Sequence, residues 1–329
     1  MNRGGTEKFV VAFDLGGTKL AGALVDRVGR VVRRVSVAVD HESADAPVRQ
    51  MVNMARAVAC RVGPVARTEE TPESKGKLRG IAGVGVAVPG LVRSDGTVWA
   101  PNLEGWESIP LARKLRDALG VPVTVESDRN ASVIGEAWCG AARGKGDVIV
   151  LMIGTGIGAG ILSGGRLLRG AHGLSGCVGW MTLREEHAGE AGRVGQWESL
   201  AAGPGIARAA EKALARGVES LLSEIPAVAR NAYEVAEAAR RGDTVSIEVF
   251  LEAGRLLGYG VANLVSLLDP EMVVLGGGLA KASDVYLDAL RNAMKERAQP
   301  LAARNVKIVV SRLGDEANLL GAARVAWGD

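Results

Sequence analysis

Two segments of this chain repeat one pattern. LGGTKLAGAL (15–24) and IGTGIGAGIL (153–162) match position for position in their alternation of glycine, threonine and apolar residues. Each follows an apolar, β-rich run, FVVAFD before the first and DVIVLM before the second. Each crosses a Gly/Thr turn, re-enters an apolar segment and meets a glycine turn, at Gly29 and at Gly164 with Gly165. Glycine at this density disfavours a helix start, so the pattern predicts strand, tight turn and strand in both places. Two ordinary hairpins would satisfy the pattern. So would a duplicated pair of phosphate-facing hairpins, because threonine hydroxyls and unhindered backbone N–H groups in such turns form anion nests.

The rest of the chain alternates strands with helices. Strands are predicted at 8–14, 20–26, 30–38, 80–88, 121–126, 147–153, 157–163, 271–276 and 305–311. Helices are predicted at 46–62, 110–119, 129–142, 197–216, 231–241, 244–268, 283–298 and 316–326. Mixed elements joined by long crossovers mean α/β layers. The polar run TEETPESKGK (68–77) reads as a solvated loop.

At 329 residues the chain is long enough for about two domains. Hydrophobic residues make up 47% and charged residues 23%, which supplies a substantial core. The net charge of +3 is spread rather than clustered, so no nucleic-acid stripe is indicated. Cys60, Cys139 and Cys177 have neither metal-like nor disulfide-like spacing, which suits a reducing cytoplasm. The apolar run at the N-terminus is broken by Asp14 and is too short for a signal peptide. The most apolar stretch, 148–162, is glycine-rich and shorter than the ~20 residues of a spanning helix, so no membrane segment is expected.

GTGIGA (154–159) also satisfies the G-x-G-x-x-A dinucleotide fingerprint. That fingerprint must open a helix, whereas ILSGGRLLRG continues as strand and turn. No acidic residue ends a strand about 20 positions on to meet a ribose. A nicotinamide or flavin oxidoreductase is therefore the weakest reading.

DLGGTK (14–19), AVPG (87–90), APNLEGW (100–106), ESDRN (126–130), IGTGIGAG (153–160), RGAHG (169–173), WES (197–199) and LGGG (275–278) occur in the order found in the ROK family. The resemblance runs from about Phe9 to Ala326. That family comprises bacterial glucokinases, related hexose and acetylhexosamine kinases, and sugar-responsive repressors. The resemblance implies an α/β, two-lobed fold of the actin/hexokinase (ribonuclease-H-like) type, with sugar and nucleotide in the cleft. It implies a small lobe of residues 1–126 plus 316–329 and a large lobe of 127–315. Repressor members begin with a helix-turn-helix domain. Here the first phosphate turn arrives by residue 14, which favours a kinase.

The implied activity is ATP-dependent phosphorylation of a hexose in the cytoplasm, with Mg²⁺, in a homodimer that binds neither nucleic acid nor membrane. Phosphoryl transfer needs positioned phosphates, a divalent cation and a base for the hydroxyl proton. Gly16, Gly17, Thr18 and Lys19 would face phosphates from one hairpin, and Thr155, Gly156 and Gly158 from the other. Asp14, at the end of its strand, could orient hydrated Mg²⁺ or simply cap the turn. Gly277 and Gly278 match a turn near the adenosine, or form a plain strand-to-helix turn. Asp128 matches the family's catalytic base, although an N-cap would have the same sequence signature. Gly90, Asn102 and Glu198 match sugar-holding positions.

The pocket departs from the family at several places. Ser127 stands where Asn is usual, and Arg129 where a small residue is usual. In AHGLSGCVGWM (171–181), Cys177 holds the position of a sugar-gripping Glu, and Trp180 that of a zinc-ligating His. Gly189, Ala191 and Gln196 replace the family's three zinc cysteines, so no structural zinc is expected. His172 and His187 lie nearby at no metal spacing. Trp180 either lies against the C–H face of a sugar or fills the space the zinc vacates. The second is preferred here, because a void costs stability. The alternative to a working kinase is a sugar-binding regulator or pseudokinase.

Overall fold

The computed structural model describes residues 8–60, 78–185 and 191–328. The expected loop at 68–77, and residues His187 and Gly189, lie outside the described residues. By compactness the chain divides into two units, 1–143 with 169–174 and 315–329, and 144–168 with 175–314.

The first unit is built on a five-stranded sheet in the order β3-β2-β1-β4-β7. β1 (Phe9–Leu15), β2 (Lys19–Asp26) and β3 (Val31–Ala38) form an antiparallel meander. α1 (Ala46–Ala59) follows, and β4 (Ile81–Val88) then returns parallel to β1. A small ribbon of β5 (Leu91–Val92) and β6 (Val98–Trp99) leads to α2 (Leu111–Leu119). β7 (Val123–Ser127) adds parallel to β4 and runs directly into α3 (Asp128–Cys139). β1 and β4 are buried along nearly their whole length, so they read as continuous apolar runs rather than alternating ones. Phe13, Met51, Trp106 and Leu115 are among the largest side chains of this core.

The second unit repeats that topology. β8 (Val148–Ile153), β9 (Ile157–Ser163) and β10 (Arg166–Leu167) form the meander. Among the described residues five α-helices follow: α4 (Ala191–Val194), α5 (Gln196–Ala201), α6 (Gly203–Leu214), α7 (Ala232–Arg240) and α8 (Thr244–Leu268). β11 (Met272–Gly276) then lies parallel to β8. After α9 (Ser283–Arg297) and α10 (Pro300–Asn305), β12 (Lys307–Val310) closes the order β10-β9-β8-β11-β12. The glycine-rich repeat in the sequence is thus one half of a repeated sheet. Because β8 and β9 pair antiparallel with Ile153 opposite Ile157, GTGIGA is a hairpin turn. It opens no helix, and the dinucleotide reading loses its structural requirement.

α11 (Ala317–Ala326) returns the chain to the first unit. It packs where side chains are missing. A Cβ on Gly85 would sit 1.8 Å from the Ala322 carbonyl oxygen, one on Gly135 2.2 Å from that of Ala317, and one on Gly321 1.8 Å from that of Ala131. β4, α3 and α11 therefore meet at backbone distance. This packing groups α3 with the first unit, whose first segment runs to Arg143.

Two elements depart from expectation. The helix expected over 197–216 breaks at Ala202, which is extended at φ −78°, ψ 169°. Pro204 cannot donate a helical N–H and starts α6 afresh. The short α10 was not foreseen. Pro300 opens it, and the Gln299 side chain accepts the N–H groups of Leu301 and Ala302.

Candidate active site

In the first unit the β1–β2 turn is closed by the Gly16 N–H donating to the Lys19 carbonyl at 2.8 Å. Thr18 and Lys19 are exposed beyond it. A Cβ on Gly17 would lie 3.9 Å from that of Asn102, so a predicted sugar residue and a predicted phosphate residue are neighbours. Gly90 has φ +93°, and any Cβ there would meet the Trp99 carbonyl oxygen at 2.1 Å. Only glycine fits where β4 leaves the sheet.

β7 delivers Asp128 to the first turn of α3. The N-cap is Ser127, whose Oγ accepts the Asn130 N–H at 3.4 Å. Asp128 accepts the N–H of its neighbour Arg129 at 2.8 Å. Asp128 is therefore not spent on capping the helix. Burial raises its pKa, and the Arg129 charge partly offsets that rise. Glu126, assigned no role from sequence, supports this turn. Its Oε1 accepts the Ser127 N–H at 2.9 Å and Asn130 Nδ2 at 2.8 Å, and its Oε2 accepts Arg169 at 2.8 Å.

Asp14 lies in the same unit, level with Ala21 on β2 and Ala87 on β4. Burial, and then the nearby Asp128 charge, raise its pKa to about 6 against the pull of Asn318, Arg34 and Lys19. Asn318 Nδ2 donates to Asp14 Oδ1 at 3.4 Å. Asn318 was missed from sequence. The available signal was a polar side chain in the first turn of the ANLLGAARVA helix, whose one charged residue, Arg324, lies in the last turn.

In the second unit the β8–β9 turn is closed by the Gly154 N–H on the Gly156 carbonyl, and Gly203 N–H donates back to Gly154. Thr155 is exposed at its tip. Gly154, Thr155 and Gly278 line one cavity of about 560 Å³, with Tyr233, Leu279 and Lys281. Gly277, at φ +80°, lets the end of β11 pass the end of β8, since a Cβ there would lie 2.4 Å from the Ile153 carbonyl oxygen. Gly158 pairs with Met152 inside the hairpin and does not line that cavity.

Glu198 is the third residue of α5. Its Oε2 accepts the Ile157 N–H at 2.8 Å, immediately after the glycine turn. Burial raises its pKa, and that hydrogen bond partly restores it. Gly156 and Gly179 crowd the same carboxylate, with built Cβ positions 2.6 and 2.9 Å from Oε2. Gly176, at φ +84°, would meet the Ala159 carbonyl oxygen at 1.8 Å. The glycines around Cys177 and Trp180 are bare because they press on β9 and Glu198.

Trp180 does not fill a void. It is 57% exposed, which corrects the preference for a buried filler. Gln196, 4% exposed, is the packed residue nearby. Its Oε1 accepts the N–H groups of Leu183 and Arg184, and its Nε2 donates to the Arg184 carbonyl. Among the described residues no cluster of three or more His, Cys, Asp or Glu groups is arranged for a metal ion, and no helix is long and apolar enough to cross a membrane.

Comparison with known proteins follows the same lines. Residues 10–328 match the profile described as the ROK family. The chain is 29% identical over 322 residues to a glucokinase of Halalkalibacterium halodurans, covering 96% of this chain and 94% of that one. It is 33% identical over 255 residues to a xylose repressor of Caldicellulosiruptor bescii, covering 76% and 64%. A ROK family glucokinase from Streptomyces griseus, solved in complex with glucose and AMPPNP, superposes with a TM-score of 0.79 at 31% identity, covering 98% and 100%. The expected α/β two-lobed fold class is borne out by this likeness and by the two mixed five-stranded sheets.

Proposed function

The chain belongs to the ROK family, and from that premise we propose that it is an ATP-dependent hexose kinase with an altered sugar pocket. One observation carries the reading. Asp128 stands on the first turn of α3 with its capping duty taken over by Ser127. A desolvated carboxylate at that place is what a general base for a sugar hydroxyl requires.

The roles follow from the chemistry. Asp128 would accept the proton of the sugar hydroxyl as that oxygen forms its bond to the γ-phosphorus and the bond to the ADP leaving group breaks. Backbone N–H groups of 16–19 and 154–156 would hold phosphate oxygens, and the cavity lined by Tyr233, Leu279 and Gly278 would take the adenosine. Gly90, Asn102, Ser127 and Glu198 would hold the sugar, with Cys177 and Trp180 shaping its specificity. The exposure of Trp180 supports a role as a ring surface for a sugar's C–H face.

Magnesium is tested by the donor set. Two carboxylates, Asp14 and Asp128, share one region with a buried carbonyl oxygen of Asn318 that has no partner. Hard oxygen donors of this kind fit a hydrated Mg²⁺, which would neutralise the charge of the transferring phosphoryl group.

Cys177 in place of a carboxylate, together with the likeness to a xylose repressor, favours the second reading, a sugar-responsive regulator without turnover. ATP consumption by the purified protein across hexoses, amino sugars and sugar acids tests the proposal. Saturable sugar binding without ADP formation would replace it with the regulator.

A further inference from the structure

Asn318 is set in the second position of α11, on the helix that meets β4 and α3 at backbone distance. The orientation of its amide is determined by its neighbour. Asp14 carries acceptors only when ionised, so the Asn318 NH₂ must face it, as the 3.4 Å contact from Nδ2 to Oδ1 records. That leaves Oδ1 directed elsewhere. It is buried and has no hydrogen-bond partner. An amide oxygen removed from water without a donor is costly, and buried polar atoms in folded proteins are overwhelmingly paired. Glycine contacts hold the helix in place, so Asn318 cannot escape the position by a shift of α11.

What donor could it be waiting for? The surroundings are anionic, with Asp14 and Asp128 in the same region. An ammonium or guanidinium would serve, but the cations acting on Asp14 are Arg34 and Lys19, and neither donates to this oxygen. A water polarised by a divalent cation would serve better. Such a water is a strong donor, and the carboxylates supply the charge that holds the cation. Mg²⁺ keeps several waters when it binds, so an oxygen at second-sphere distance is useful to it.

We propose that Asn318 is a residue of the cation site, its carbonyl oxygen accepting a hydrogen bond from a water ligand of the divalent cation that Asp14 orients. The assignment rests on the kinase reading, which supplies the cation with the nucleotide. Asn318 has two tasks in it: its NH₂ positions the Asp14 carboxylate, and its carbonyl orders the hydration shell.

The test uses Mn²⁺ as the probe, titrated by electron paramagnetic resonance into the full chain with saturating AMPPNP, so that no turnover is involved. Asn318→Ala should keep the fold by circular dichroism, since alanine is a better helix former. It should weaken Mn²⁺ by roughly 3- to 10-fold, the usual net contribution of one hydrogen bond. Asn318→Asp keeps an acceptor oxygen and should bind Mn²⁺ at least as tightly as the original chain. Sugar affinity should not change in either variant. Unchanged Mn²⁺ binding in Asn318→Ala overturns the proposal. Equal weakening in both variants also overturns it, because the NH₂ alone would then matter. No nucleotide-dependent Mn²⁺ binding by the original chain overturns the kinase reading as well, and is thereby distinguished from the first two outcomes.

Discussion

Gln196 holds the backbone of Arg184 at both ends: its amide oxygen accepts the Arg184 N–H at 3.0 Å and its amide nitrogen donates to the Arg184 carbonyl at 2.8 Å. The same oxygen takes the Leu183 N–H at 2.7 Å. α5 has six residues, too few to stand alone, so its position depends on such ties. Glu198 rides on it two residues later. Gln196→Ala would leave two N–H groups and a carbonyl without their partner and should destabilise the protein by about 1–3 kcal/mol. Denaturant melts and faster amide exchange at Leu183 and Arg184 report this. The sugar KM should rise with it. The staple is an amide, so dialysis against a chelator should leave the melt unchanged and elemental analysis should find no stoichiometric zinc.

Asp128→Asn should preserve the fold, because Ser127 remains the N-cap. AMPPNP binding should persist while turnover falls roughly 10²-fold or more, the usual range for a general base. Near-normal turnover by the purified variant would remove Asp128 from the role.

Asp14 carries the clearest pH signature. Its folded pKa of about 6 lies above the ordinary aspartate value of 3.8, so between these values the folded state holds more proton than the unfolded one. Proton linkage then makes stability fall as pH rises through that window. Asp14→Asn should flatten this part of a melting-temperature profile. Activity should move the other way. Protonation removes the charge that orients the cation, so kcat/KM should decline below about pH 6.

Cys177→Glu would restore a carboxylate at a half-buried position. The ring of Trp180 is turned largely to solvent and need not be displaced. If glucose is a poor substrate for want of that grip, the single change should lower its KM by about 10- to 100-fold with little change in kcat, as expected for a charged hydrogen bond of about 1.5–3 kcal/mol. If glucose does not improve and another sugar loses activity, Cys177 belongs to the specificity for that other sugar.

Much of the fold was legible in the residues. Glycine and threonine at 15–18 and 153–156 can turn a chain sharply and little else, and the apolar runs around them have no use outside a buried sheet. The duplicated hairpin and the α/β layering follow from such local facts, whereas the two-lobed class of fold was implied by the family resemblance. Asp14 was legible as an acid ending an apolar strand, and Asp128 through its match to the family pattern just after β7. Tertiary structure decided the rest. Whether Asp128 caps its helix depends on which way the Ser127 hydroxyl points. Whether Trp180 is filler or surface depends on what else packs beside Gln196. Asn318 is more than 300 residues from Asp14 in sequence, and the packing of α11 against β1, β4 and α3, close at Gly85, Gly135 and Gly321, brings them together. A local pattern determines strands and turns because they are closed by neighbouring groups. A pairing between distant residues is settled by packing, which no single stretch of the chain contains.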